Sequence, residues 1–205
     1  MNYETDDSFF TTVFPPFVYY GWSVKSWLLQ DENAIFRYIR DYEIEQEFWN
    51  IEQINEIYPE IKTIAIVVNP WARMYYTYQQ LHAMKQANDY RLVDLTDIPL
   101  DTFSNFVNSL PSMPATNGDF WFSIPTPICK WIDYEVNGDV KTADYILRDY
   151  ALEEDFQKIQ EYFQSDVPLA IESTLPDYRE QYTSETQKII TDVFKKDIER
   201  FGFEF

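Results

Sequence analysis

A continuous apolar run occupies residues 63–68 of the chain, Thr-Ile-Ala-Ile-Val-Val. Runs of this length that are rich in β-branched residues are typical of strands buried on both faces of a parallel sheet. The turn Asn69-Pro70-Trp71 follows, and proline is favoured in the first turn of a helix. The pattern therefore predicts a central strand, a turn and a helix from about residue 71 to 87.

The same order of strand and helix is predicted again further along the chain. Residues 144–147, Asp-Tyr-Ile-Leu, have the composition of a short strand. Apolar positions with helical spacing follow at once and predict a helix over residues 152–163. Alternation of strands with helices favours an α/β domain with a parallel sheet.

Two helical regions are predicted before the central strand. Ser23 can cap a brief helix over Val24, Trp27 and Leu28. Apolar spacing then predicts that the chain is mostly helical up to residue 58, where Pro59 ends the pattern.

Two more helices are predicted in the second half of the chain. One covers residues 102–110, and the last begins at residues 183–185 and ends at Gly202, a natural C-terminal stop. Residues 111–127 contain four prolines and one glycine, which predicts a long surface loop.

The first 20 residues have a different character from the rest. They mix acidic and aromatic residues, and Pro15 and Pro16 disfavour a regular strand or helix. We therefore predict an arm over residues 1–20 and a single domain over residues 21–205. The aromatic surface of the arm must either pack on a sheet edge of the same chain or dock on another chain, as a protein partner or a second copy.

Charge and composition exclude several classes of function. The 205 residues include 35 acidic and 16 basic side chains, so the net charge is −19. This charge repels nucleic acids and anionic membrane surfaces. One cysteine and one histidine leave no disulfide and no zinc cluster, so no metal is expected.

The hydropathy of the chain predicts a soluble protein. No stretch approaches the roughly 20 apolar residues of a membrane span, and the acidic start is unlike a signal peptide. We expect a cytoplasmic protein, or a component of a larger intracellular or viral assembly.

Three segments resemble the carbohydrate-type sulfotransferase family, in the order in which the family has them. Residues 178–183 and 194–205 resemble its C-terminal segment, which closes with an aromatic, Asp and Phe-Gly-Tyr pattern. Residues 145–156 resemble its strand with a central Arg, followed by a Leu and Asp-Phe helix start. Residues 67–74, with Tyr78, resemble its 3′-phosphate motif. The resemblance covers roughly residues 60–205.

The resemblance implies a fold and an activity. The fold is a P-loop-type parallel sheet flanked by helices. The activity is transfer of sulfate from 3′-phosphoadenosine 5′-phosphosulfate (PAPS) to a hydroxyl of a sugar or small acceptor. The candidate residues for binding PAPS or its desulfated product PAP lie at two places: Gly21, Ser23 and Lys25 around the phosphosulfate, and Asn69 and Arg73 near the 3′-phosphate.

The sequence departs from the family at positions that carry this chemistry. The 3′-phosphate Arg is replaced by Val68, the Ser by Tyr76, and the phosphosulfate lysine by Val18. Each charge-assisted hydrogen bond is worth about 1.5–3 kcal/mol, so losing two should weaken nucleotide binding strongly. In the family, a catalytic base and a His/Pro/Gln-like segment lie near the acceptor. The corresponding residues 122–127 have neither a His nor a Gln, so no catalytic base can be named.

Several charged side chains have a structural interpretation as well as a functional one. Lys25 can fold back to the loop or face solvent, and Arg73 can reach an anion or form an ion pair with one of the many carboxylates of the chain. Arg148, inside an apolar strand, can face a nucleotide or, as we favour, pair with Asp155 or Asp197. His82 is more than two turns into its helix, so we interpret it as a surface or boundary residue.

Two functions remain open at this point. The first is a PAPS-dependent sulfotransferase. The second is a non-catalytic descendant of the fold that acts as an interaction or structural protein, for example in a viral assembly, because fold alone does not imply function.

Overall fold

The computed structural model describes residues 10–13, 21–30, 50–87, 98–114, 124–171 and 177–205. Contacts within the chain group these residues into two compact units. The first unit contains described residues 10–13, 21–30, 50–67 and 131–171, and the second contains 68–87, 98–114, 124–130 and 177–205. The predicted boundary between arm and domain at residue 20 lies outside the described residues and stays a prediction.

The first unit is built on a three-stranded parallel sheet of order β1-β2-β5. The strands are β1 (Phe10–Val13), β2 (Lys62–Val67) and β5 (Tyr145–Arg148). Ala65 of β2 lies opposite Val13 of β1 and Ile146 of β5. Residues 64–67 of β2 are fully buried, which confirms that the apolar run at 63–68 is the central strand.

Strand β1 lies within the segment predicted to be an arm. Its four residues pair in parallel with β2, and Thr11, Thr12 and Val13 are buried. Of the two alternatives for the arm, packing on the sheet of the same chain therefore holds for residues 10–13. The rest of the predicted arm lies outside the described residues.

A two-stranded antiparallel hairpin precedes β5. Its strands are β3 (Asp133–Val136) and β4 (Asp139–Thr142), joined by a two-residue turn. Asn137 and Gly138 in the turn both have positive φ, 55° and 87°. These values match the type I′ turn that Asn-Gly favours, because it follows the twist of the two strands.

Among its described residues, the first unit contains the helices α1 (Gly21–Gln30), α2 (Ile51–Ile57) and α6 (Leu152–Phe163). Trp27 of α1 packs its ring edge-on against Phe156 of α6, with ring centroids 4.9 Å apart. Its indole nitrogen donates to the carbonyl of Val167 at 2.9 Å. Aromatic burial with a satisfied N–H therefore ties α1 to α6.

The described part of the second unit contains the helices α3 (Pro70–Gln86), α4 (Phe103–Ser109), α7 (Ser184–Val193) and α8 (Lys195–Phe201). A 3₁₀ turn (Leu110–Ser112) follows α4. The short helix α5 (Cys129–Ile132) leads along the chain into β3. Aromatic rings fill the space between α3, α4 and the residues before α7. Phe103, for example, lies 5.3 Å from Tyr75 and 4.9 Å from Tyr182 between ring centroids.

The structure is therefore mixed α/β, with a small three-stranded parallel sheet flanked by helices. The helix predicted over 152–163 is confirmed at both ends. The helices predicted at 71–87 and 102–110 are confirmed with ends that move by one residue. Part of the region up to residue 58 is confirmed as α2, and residues 31–49 lie outside the described residues.

Two predictions of helix ends are wrong. Ser23 is not a cap, because α1 begins at Gly21 and Ser23 shares its buried face with Val24 and Trp27. The last helix is not continuous, because Phe194 leaves helical conformation at φ −105° and ψ 22°. A break of one residue leaves the spacing of the apolar positions unchanged, so a prediction based on that spacing does not detect it. The stop at Gly202 is confirmed, with φ 66°.

Candidate functional site

Helix α1 carries the three residues predicted to surround the phosphosulfate. Gly21 is its first residue, Ser23 its third and Lys25 its fifth. The Ser23 residue is 8% exposed. The Lys25 side chain lies outside the described part of the structure, so both interpretations of it stay predictions. These three residues belong to the first unit, whereas Asn69 and Arg73 belong to the second.

Asn69 is the N-cap of α3. Its side-chain oxygen accepts hydrogen bonds from the main-chain N–H of Trp71 at 3.0 Å and of Ala72 at 3.4 Å. Its side-chain nitrogen donates to the carbonyl of Glu204 at 2.9 Å. The N–H groups at a helix start are the ones that bind anions in phosphate sites. Two of those groups are already satisfied here by Asn69.

Aromatic rings surround the first turn of α3. The Phe205 ring centroid lies 5.6 Å from that of Trp71 and 5.4 Å from that of Tyr182. The Tyr182 hydroxyl donates to the main-chain carbonyl of Trp71 at 2.8 Å, and burial raises the pKa of that hydroxyl. The side of this turn that carries Asn69 and Trp71 is therefore occupied by the C-terminal residues.

Arg73 points into the interior of the second unit. The residue is 2% exposed, and its guanidinium donates to the main-chain carbonyls of Thr126 at 3.0 Å and Ile124 at 3.4 Å. Burial lowers the pKa of Arg73 to about 10, partly offset by the charge of Asp197. A buried guanidinium must be satisfied by such acceptors. Arg73 is thus engaged by main-chain carbonyls within the protein, and its expected place near a 3′-phosphate stays a prediction.

Asp197 of α8 holds the same loop from the other side. This fully buried carboxylate accepts hydrogen bonds from the main-chain N–H of Ile128 at 2.6 Å and of Cys129 at 2.9 Å. Burial raises its pKa, while these donors and the charge of Arg73 act in the opposite direction. We call Arg73, Asp197 and the loop residues 124–129 between them the loop clamp.

The loop clamp has the chemistry of a structural element. Its two charged groups are buried and are directed at main-chain atoms of the loop. Residues 124–128 carry no titratable side chain. Val68, at the position of the family's 3′-phosphate Arg, is 1% exposed. The loop clamp therefore fixes a loop and offers no general acid or base at its surface.

The role of Asp197 in the loop clamp was missed at the sequence level, where this residue was only a candidate partner for Arg148. A signal was present, because Asp197 follows the buried Ile190 and Phe194 at helical spacing. A carboxylate on the apolar stripe of a helix is rarely buried unless it is paired or hydrogen-bonded. The sequence does not show which N–H groups it binds, since they lie 68 and 69 residues away.

We expect the Cys129 thiol to react slowly with thiol reagents in the folded protein. Burial and the neighbouring charge of Asp197 raise its pKa to about 12, and the thiolate is the reactive form. The test is labelling by Ellman's reagent at pH 8, which should be fast in urea and slow in buffer. Rapid labelling in buffer would contradict the buried position.

Arg148 pairs with Asp155, which confirms the structural interpretation of this residue. Its Nε and Nη2 atoms donate to the two carboxylate oxygens of Asp155, both at 2.7 Å. Lys158 adds a third cationic contact at 3.0 Å. Burial acts to raise the pKa of Asp155, but the hydrogen bonds from Arg148 and Lys158 outweigh it and lower this pKa to about 2. The pair joins the end of β5 to the first turn of α6.

A polar link between β2 and the residue before β5 was not predicted. The Asp144 carboxylate accepts from the main-chain N–H of Thr63 at 2.8 Å and from its hydroxyl at 3.1 Å. This explains why β5 starts at Tyr145 and not at residue 144, because Asp144 turns its side chain to β2.

His82, which we predicted to be a surface or boundary residue, is half-buried beside Tyr78.

Neither a metal-binding cluster nor a membrane-spanning helix occurs among the described residues. No group of three His, Cys, Asp or Glu side chains in the described ranges could hold a metal ion. Within the same ranges, no helix is long and apolar enough to cross a membrane.

Comparisons with known proteins add no assignment. No model of a known protein family matches the chain, and no curated protein matches it.

Proposed function

We propose that the chain is a non-catalytic protein on a sulfotransferase-like, P-loop-type fold, and that it acts through protein contacts as an interaction or structural protein. The proposal rests on the resemblance of residues 60–205 to the family, together with the state of the two residues predicted near the 3′-phosphate. The small parallel sheet flanked by helices is compatible with that fold.

The observation that carries the proposal is the internal use of Asn69 and Arg73. Asn69 caps α3 and donates to the carbonyl of Glu204. Arg73 is buried and donates to two loop carbonyls. A phosphate that bound Arg73 would have to displace its hydrogen bonds to these two buried carbonyls, and a buried acceptor left unsatisfied costs about 1–3 kcal/mol. Arg73 cannot hold the loop and bind a phosphate at the same time, and Asn69 is likewise engaged as the cap of α3.

Electrostatics favours the same conclusion. A nucleotide with several phosphate charges approaches a protein of net charge −19, so its binding depends on local cations. The family's arginine is here the buried Val68. The alternative, sulfate transfer from PAPS to a sugar or small hydroxyl acceptor, would require Lys25 and Ser23 to bind the nucleotide without that arginine.

We expect no binding of PAP to the protein at millimolar concentration. A ligand at 100 times its dissociation constant would add about 2.7 kcal/mol of stability, so thermal unfolding is a sensitive readout, and isothermal titration calorimetry is an independent one. The melting temperature should stay constant as PAP is added. A dose-dependent rise in melting temperature with a heat of binding would overturn the non-catalytic assignment.

A variant designed to gain affinity for PAP tests the sulfotransferase-like assignment separately. Val68→Arg with Tyr76→Ser places the family's two 3′-phosphate groups back at their positions. If the sulfotransferase-like assignment is right and the variant remains folded, it should bind PAP measurably. A folded variant without affinity would count against the sulfotransferase-like site, while the flat response of the unmodified protein would still exclude the enzyme.

A further inference from the structure

Strand β4 pairs with β3 along one side, and within the described residues no strand lies beside its Val140 on the other side. All four of its residues are exposed, and the Val140 residue is 73% exposed. Within the described residues β4 pairs only with β3. An open strand edge is a template for pairing with another chain, and natural proteins usually protect it. Val140, an exposed β-branched residue in the middle of this edge, is therefore a candidate contact for the strand of a partner.

The hydrogen-bond pattern shows in which direction the main-chain groups of Val140 point. The Ala143 N–H donates to the carbonyl of Ile132 at 3.0 Å, which extends the β3–β4 ladder. In an antiparallel pair, residues that bond inward alternate with residues that bond outward. With Val136 opposite Asp139 and Tyr134 opposite Lys141, Asp139 and Lys141 bond inward. Val140 directs its N–H and C=O away from β3.

The charges along this edge are self-complementary. Asp139 and Lys141 flank Val140 on the same face of the strand. When two such strands meet antiparallel with Val140 opposite the partner's Val140, Asp139 lies opposite the partner's Lys141, and Lys141 opposite the partner's Asp139. Opposite charges across a strand pair stabilise it, and like charges destabilise it. Moving the register by two residues would set Lys141 against the partner's Lys141, so one register is selected.

We propose that the occupant of the β4 edge is a second copy of this chain, which pairs through β4 to form a four-stranded antiparallel sheet across a two-fold axis. The two Val140 residues exchange both main-chain hydrogen bonds at the centre, between two ion pairs. Such a self-complementary contact closes after two copies. The inference rests on the proposed interaction role and names its partner.

The dimer should be weak, and its dissociation constant should depend on the salt concentration. A strand of four residues gives a small interface, and small interfaces produce weak, transient complexes. Two chains of net charge −19 also repel one another at long range. Salt screens that repulsion over about 10 Å at 0.1 M and about 30 Å at 0.01 M. Association should therefore be tighter at the higher of these salt concentrations.

Sedimentation equilibrium of the full chain, from micromolar to millimolar concentration, tests for the dimer. We expect a reversible monomer–dimer equilibrium, with hydrogen exchange at the Val140 amide slowing as the concentration rises. A monomer over the whole range would overturn the inference, as would a dimer in which this amide exchanges at the same rate as in the monomer. Neither result alters the PAP titration, so a failed dimer and a failed non-catalytic assignment are distinguishable.

Charge exchange at the edge tests the register. Asp139→Lys makes both cross-strand pairs Lys–Lys, and Lys141→Asp makes both Asp–Asp. Each variant alone should show roughly a tenfold or greater rise in the dimer dissociation constant. Asp139→Lys does so although it makes the chain less negative, which separates a local pair from overall repulsion.

Complementary mixing completes the test. An equal mixture of Asp139→Lys and Lys141→Asp chains pairs lysine with aspartate at both positions, and so does the double exchange within one chain. Both should restore association to the level of the unmodified protein. Single variants that still dimerise, or mixtures that do not recover, would overturn pairing through β4. Both substituted residues are exposed, and circular dichroism checks that each variant keeps the fold.

Discussion

Replacing Asp197 by alanine is expected to lower the free energy of unfolding by about 3–5 kcal/mol, the range for removing one partner of a buried charged group. The Asp197 carboxylate is fully buried and accepts two main-chain hydrogen bonds, from Ile128 and Cys129. Its loss leaves two buried N–H groups without an acceptor and leaves the buried Arg73 without its nearby negative charge. Urea denaturation followed by tryptophan fluorescence measures the change.

A nearby exposed aspartate gives the matched control. Asp192 lies on the preceding helix, where its 64% exposed side chain pairs with Lys188. Asp192→Ala should cost no more than about 1 kcal/mol, because exposed ion pairs contribute little. Asp197→Asn, which keeps one acceptor oxygen, should fall between the two. Equal effects of Asp197→Ala and Asp192→Ala would contradict the loop clamp.

Hydrogen exchange locates the Asp197 effect in the structure. If Asp197 holds the loop through its main chain, the amides of Ile128 and Cys129 should lose protection in Asp197→Ala. They should keep it in Asp192→Ala. Unchanged protection of these two amides, despite a loss of stability, would place the role of Asp197 elsewhere.

The elements that sequence patterns predicted well are those whose cause is local. The run at 63–68 is apolar at residues 64–67, the fully buried positions of β2, so burial on both faces can be predicted from it directly. Helix α6 has acidic residues in its first turn and a clear apolar stripe. Proline and glycine mark the start of α3 and the end of α8. In these cases neighbouring residues determine the structure.

Elements whose partners are distant in sequence were missed. β1 has four residues and gains its stability from pairing with β2, about 50 residues away. The hairpin of β3 and β4 is an exception, because Asn137-Gly138 is a strong local turn signal that was not used. The break at Phe194 also depends on packing, since both Phe194 and Asp197 are fully buried around it.

The candidate site shows the same division. The position of Asn69 before Pro70 identified a helix start, and the structure makes Asn69 the cap. The partners of Arg73 lie 53 and 51 residues along the chain, at main-chain carbonyls that carry no side-chain signature. A sequence can therefore indicate that a charged residue needs a partner, but it does not identify a carbonyl as that partner.

Replacing Asp155 by asparagine is expected to lower the free energy of unfolding by about 3 kcal/mol, since several charge-assisted hydrogen bonds end on this carboxylate. Its side chain is 3% exposed and accepts from Arg148 and Lys158. Glu154→Gln is the matched control, because this exposed neighbour has the same charge in the same first turn of α6. The control should cost less than about 1 kcal/mol, as an N-terminal helix charge does.

The pH dependence of the Asp155 effect follows from its lowered pKa. An unpaired aspartate has a pKa of about 3.9, whereas Asp155 in the folded protein has a pKa of about 2. A carboxyl with a lowered folded-state pKa contributes its full stability above the unfolded-state pKa and loses it as the pH falls through the folded-state pKa. The difference in stability between the unmodified protein and Asp155→Asn should therefore be largest near neutral pH and shrink from about pH 5 to about pH 2. Urea titrations across this range measure it, and a difference that stays constant or grows in acid would show that Arg148 does not hold Asp155 in its charged form.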